Sequence, residues 1–187
     1  MRHYPRMLLR TVSRLLLALA SLLLLGCLDK PYDPDGPGDF IGVFSVDAHQ
    51  TANTCGQGAL DSPVDWTFDV HLSREIGIIY WNNGAEYVQG ELASDKHSFT
   101  FDAQVVVNMR DQKSPPSLPP CSVERQDRSS GRIADDDASF TGTLTYEFAP
   151  TTDSNCSDLV TSTPQVFAML PCAMTYTLDA KRTATTP

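Results

Sequence analysis

Residues 66 to 73, WTFDVHLS, alternate strictly. Trp66, Phe68, Val70 and Leu72 fall on one side of an extended chain, and Thr67, Asp69, His71 and Ser73 on the other. Successive side chains of a strand point to opposite faces, so this pattern predicts an antiparallel strand with one apolar and one wet face. The period recurs three times. SFTFDAQVVV (98–107) aligns Phe99, Phe101, Ala103, Val105 and Val107, and SFTGTLTYEF (139–148) aligns Phe140, Gly142, Leu144, Tyr146 and Phe148. AMTYTLDAKR (173–182) aligns Met174, Tyr176, Leu178, Ala180 and Arg182. Shorter candidates are IGVFSVDA, IGIIYW, AEYVQGEL and CSVERQD, which bring the strands to eight. No 11-residue window carries a firm helical stripe; PQVFAML before Pro171 comes nearest and is short. The expectation is an all-β fold.

The connections read as hairpins. Asn83-Gly84 lies between two strand candidates, where a tight turn needs positive φ. Two further turns are copies of each other: GELASDKHSFT from Gly90 and GRIADDDASFT from Gly131, identical at six of 11 positions. Asp135, Asp136 and Asp137 invite a metal reading, but in the twin they correspond to Ser94, Asp95 and Lys96, and aspartate favours turns by bonding nearby amides. The triple aspartate is read as a turn.

An up-and-down order of eight strands gathers alternate connections at one end. Cys55, Cys121, Cys156 and Cys172 all fall at the end holding the long loops 49–64, 108–120 and 149–171, and the twin turns fall at the other. Their spacing contains no C-x₂-C pair for zinc, so two disulfides are expected. Cys156–Cys172 with Cys55–Cys121 is one pairing. Cys55–Cys172 with Cys121–Cys156 is another, if the first and last strands meet.

The N-terminus supplies an address. Arg2, Arg6, Arg10 and Arg14 precede an uncharged run from Leu15 to Gly26. Those 12 residues reach about 18 Å as a helix, short of the roughly 30 Å a membrane span requires. The anatomy is that of an export signal over 1–26. Leu24-Leu25-Gly26-Cys27 resembles the lipobox of bacterial lipoproteins. The resemblance covers the first 27 residues and implies cleavage before Cys27, whose thiol then carries a diacylglycerol; Leu28 in the next position implies sorting to the outer membrane. Residues 27–40, rich in proline, glycine and aspartate, read as a flexible tether, 41–183 as one β domain and 184–187 as a tail. The signal holds four of the 14 basic residues and none of the 23 acidic ones, so the mature chain has a formal charge of −13. Such a charge argues against nucleic acid as a partner.

Eight such strands can close into a barrel and remove their edges; a two-sheet sandwich is the alternative. Gly42-Val43-Phe44 on the first strand and Arg182 on the last resemble the Gly-x-Trp motif and late arginine of lipocalin and calycin barrels, with Phe in place of Trp. The resemblance implies a barrel closed across Phe44 and Arg182.

Catalytic chemistry finds no foothold in this pattern. His49, His71 and His97 read as separate solvated histidines, G-x-S-x-G is absent, and neither a metal nor a cofactor site is indicated. The expectation is a non-catalytic binding or interaction module of the cell envelope, held to the membrane by lipid, with a protein partner at the disulfide-tied loop end. Tyr80 and Trp81, beside the Asn-Gly turn, are the candidate interface; the alternative, which the short strand favours, is one ring in the core and the other an ordinary cross-strand contact. The alternatives are a lipocalin-like carrier of a small apolar ligand and a structural envelope protein. A carrier requires a connected internal cavity. The eight rings on inward positions instead point to a packed interior, with some room left at Gly90, Ala103, Gly142 and Ala180.

Overall fold

The computed structural model describes residues 37–57, 59–82, 87–110 and 117–185. The signal segment, Cys27, most of the tether and the Asn83-Gly84 turn lie outside them. Eight strands run in order: β1 (Asp39–Asn53), β2 (Asp65–Glu75), β3 (Ile78–Asn82), β4 (Tyr87–Leu92), β5 (Ser98–Asn108), β6 (Ser122–Ile133), β7 (Ser139–Pro150) and β8 (Cys172–Ala184). Each pairs antiparallel with its sequence neighbour, and β8 returns to β1, closing a barrel rather than a sandwich. Phe44 and Arg182 are directly opposite across that closing seam. The Arg182 stem lies over Gly42, where a Cβ would come within 2.5 Å of its Cδ.

The alternating residues face inward as their period requires. Phe44, Val70, Leu72, Ile79, Ile133, Phe140 and Leu178 are almost wholly buried. They pack the half of the barrel nearest the twin turns. Ring meets ring there: Phe140 lies 5.4 Å from Phe44 and 5.6 Å from Phe99 between centroids. The glycines leave no room in this half, contrary to expectation. A Cβ at Gly90 would stand 2.4 Å from the Phe101 ring, and one at Gly131 would stand 2.5 Å from that of Phe99. The rings fill the space the missing side chains release.

The twin turns are geometrical copies. Ala93 and Ala134 donate their amides to Ser98 and Ser139 carbonyls at 2.8 Å, while Lys96 and Asp137 take positive φ of 63° and 54° at the equivalent position. Asp95 accepts from the amides of His97 and Ser98, and those bonds hold its carboxyl well below the usual range. The three aspartates of the second copy diverge. Asp137 takes a two-pronged bond from Arg74 (3.0 and 2.9 Å), Asp136 accepts from the Ala138 amide, and Asp135 accepts from Arg132. The stretch is a turn whose carboxylates serve separate partners.

At the other end the loops are fastened. Cys55–Cys172 joins the loop after β1 to the start of β8, and Cys121–Cys156 joins the start of β6 to the loop after β7. This is the pairing that depends on the first and last strands meeting. Arg110 adds a two-pronged bond to Asp158, 2.8 Å on each prong, at a single helical turn, α1 (Asp158–Thr161). The segment 164–170 is irregular, not helical; Phe167 from it is buried against Phe148.

Candidate functional site

The wall of the barrel is uneven, and the unevenness makes the site. β5 and β6 match along 11 residue pairs, and β6 and β7 along another 11. β3 and β4 have only five and six residues, and β4 meets β5 through two pairs alone, Glu91 with Thr100 and Leu92 with Phe99. From Phe101 onward β5 rises without β4 as its neighbour. Val105 and Val107, expected to be buried, are 41% and 43% exposed, beyond the point where β4 pairs with β5. Between this gap and the opposite wall lies a cavity of about 790 Å³.

Its lining is aromatic with a polar seam. Trp66 and Phe68 of β2 stack with centroids 4.5 Å apart, Trp81 of β3 stands 6.0 Å from Phe68, and Tyr146 faces them from β7. All four rings remain partly open, in contrast to the closed rings below them. The interior is therefore packed near the twin turns and, toward the loops, at Val123, Phe148, Met174 and Tyr176, but open beside the β4–β5 gap, which corrects the expectation of a filled barrel: inward phase brings a ring to the interior, but only a complete wall makes neighbours meet across it. Tyr176 of β8 packs behind Trp66 and Tyr146 at 6.3 and 6.1 Å between centroids, its hydroxyl accepting from Gln50 Nε2 at 2.8 Å and donating to the Pro63 carbonyl at 3.2 Å.

On β6 the inward positions read Arg125, Asp127 and Ser129, polar where its neighbours are apolar. Arg125 Nη2 donates to Asp127 Oδ2 at 2.8 Å, and the guanidinium carbon lies 5.6 Å from the Tyr146 ring centroid. Burial pushes the Asp127 carboxyl up, with the Arg125 charge opposing it. Burial, reinforced by the Asp127 charge, pushes the Tyr146 hydroxyl up to about 12. Trp66 Nε1, Arg125 Nε and Asp127 Oδ1 are shielded and find no hydrogen-bond partner among the described residues. Leaving such groups unpaired costs about 1–3 kcal/mol each, so this wall is built at a cost in stability. CSVERQD signalled a strand, but its weak alternation hid the fact that its inward face is charged.

The other candidate residues are dispersed. Tyr80 and Trp81 do not share a surface, because adjacent strand residues face opposite ways. Trp81 turns inward against Phe68, Phe101 and Phe140, so the proposed two-ring interface is not formed. His49 is exposed and bonded to Asp65, and His71 packs edge-on to Phe40. His97 departs from the solvated reading: its side chain is only 24% exposed, tucked into a twin turn 3.9 Å from Asp135. Among the described residues no group of three or more His, Cys, Asp or Glu is placed to hold a metal ion. Comparison with protein-family models, with curated proteins and with solved structures finds no match to this chain.

Proposed function

We propose that this chain is a lipid-anchored binding protein whose barrel takes a small apolar-bodied molecule into the half-open cavity. One observation carries the reading. A space of about 790 Å³ is walled by both tryptophans of the chain together with Phe68 and Tyr146, all incompletely buried. Ligand sites commonly measure about 300–1,000 Å³ and combine aromatic walls with a few polar groups. Arg125, Asp127 and Ser129 supply the polar groups here, and burying the exposed parts of the rings would stabilise a complex. The carrier alternative thereby gains over a filled scaffold, and binding remains non-catalytic. Lipidation at Cys27 would hold the barrel at a membrane, since two acyl chains suffice for stable anchoring.

The test is titration with the uncharged probe N-phenyl-1-naphthylamine, following its emission and energy transfer from Trp66 and Trp81. Saturable binding is expected, weakened at least tenfold in Ala103→Phe, which places a ring in the cavity. A folded protein that gives no saturable signal would overturn the reading. Anchoring is tested separately: incorporation of a labelled fatty acid in cells should vanish in Cys27→Ser.

The disulfide-tied loop face supports a second reading, recognition of a protein partner. Two disulfides and the Arg110–Asp158 pair hold its loops in place, as a recognition surface on a rigid scaffold needs.

A further inference from the structure

The cavity does not end at the barrel wall. Outside, over β4 to β7, lies a groove of about 680 Å³. Gln89, Phe101, Asp102 and Ser129 line both spaces. These four residues flank the place where β4 and β5 stop pairing. Here the outer groove reaches inward-phase Phe101 and Ser129, while the inner cavity reaches outward-phase Asp102 and Gln89. The wall is interrupted where β4 and β5 part, after their two ladder pairs.

The two compartments differ in chemistry. The inner one is aromatic. The outer one presents Gln89, Thr100, Ser130, Thr143 and Thr145, uncharged groups that can both donate and accept. Its charges are Glu91, Asp102, Glu147 and a single cation, Arg128. That cation is engaged: Nη1 donates to Glu147 at 2.7 Å, Nη2 to Gln126 at 2.7 Å, and Nε lies 3.4 Å from Asp102. An anionic head group would meet three carboxylates and, among the described residues, no free cation. A hydroxyl-rich neutral head would find donors and acceptors throughout.

We propose that the ligand is an elongated amphiphile that enters through the β4–β5 gap, seating an apolar body among Trp66, Phe68 and Trp81 and a neutral polyhydroxyl head in the outer groove. This rests on the cavity being a binding site, and the test keeps the two apart. Octyl β-D-glucoside, 1-octanol, octanoate and octylammonium share one chain length and differ in the head. Each is titrated below any micelle concentration while the emission of Trp66 and Trp81 is recorded. The glucoside should bind about tenfold tighter than octanol, the equivalent of one or two net hydrogen bonds. Ser130→Val with Thr143→Val, a pair whose hydroxyls lie 3.2 Å apart on the outer face, should remove that advantage and leave octanol unchanged. Valine suits an outer strand position, so folding should survive; Thr145→Val provides an independent check. Ser129→Phe, at the junction, should weaken the glucoside more than octanol. Equal binding of glucoside and octanol would overturn the groove assignment while the cavity reading stands. Tightest binding of octanoate or octylammonium would overturn the neutral head. No binding by any probe would remove both readings.

Discussion

The two halves of this barrel are made from the same alternation and behave differently. Near the twin turns Phe44, Leu72, Ile79, Ile133 and Phe140 meet across the interior and exclude solvent. Toward the loops Trp66, Phe68, Trp81 and Tyr146 occupy the same inward phase but enclose a space. Ring size does not separate them, since the open half holds the larger rings. The difference is the extent of the wall. Where every strand has two neighbours, inward side chains are pressed together; where the ladder between β4 and β5 stops, the rings opposite border a space instead. Stability and binding are thus divided around the barrel as well as along it: toward the loops Val123, Phe148, Met174 and Tyr176 remain packed, and only the side beside the β4–β5 gap gives up packing for access.

The comparison can be broken at several points. Phe140→Ala in the closed half should cost about 4 kcal/mol, as large truncations in sealed cores do. Phe68→Ala, on the cavity wall, should cost about 2 kcal/mol or less, because its ring is already partly exposed and no new sealed void forms. Urea denaturation measures both, and equal losses would show that the open half is as tightly packed as the closed one. The loop end should rely on crosslinks instead. The Cys55–Cys172 bond spans 117 residues and Cys121–Cys156 spans 35. On the chain-entropy account, replacing the first pair by alanines should cost about 1 kcal/mol more than replacing the second. A reversed order would mean that native loop packing, not restriction of the unfolded chain, sets their contributions.

The smallest effect concerns the polar seam. The folded-state pKa of Asp127 is raised, chiefly by burial. Between its ordinary value and the raised one the folded state holds more protons than the unfolded, so this group's contribution to stability falls as pH rises through that window. Urea midpoints of the wild type should therefore gain on those of Asp127→Asn as pH is lowered from about 7 to about 4, toward the ordinary carboxylate range. The opposite slope would mean that the Arg125 charge outweighs burial and that the seam is already well solvated.

Much of this architecture is legible in single residues. The inward faces of β2, β7 and β8 follow directly from WTFDVHLS, SFTGTLTYEF and AMTYTLDAKR, because a period of two can be satisfied by only one orientation of a half-buried strand. The twin turns were readable from their repetition, and the location of the cysteines from strand parity. The candidate site was much less so. Which of Tyr80 and Trp81 turns inward was not legible, because both phases are equally consistent with so short a strand. Val105 and Val107 looked like core because alternation reports the phase of a side chain and not whether anything lies opposite it.

What the sequence determined by itself is local: which residues extend, which face each takes, where the chain turns, and which end collects the cysteines. These depend on backbone geometry and on neighbours two residues away. Tertiary structure alone decided that the sheet closes, that Cys55 reaches Cys172 across 117 positions, and that β4 and β5 separate after two residue pairs. Those outcomes depend on the relative lengths and registers of strands distant in sequence. A cavity is the space such strands leave between them, and no residue pattern encodes it until they have met.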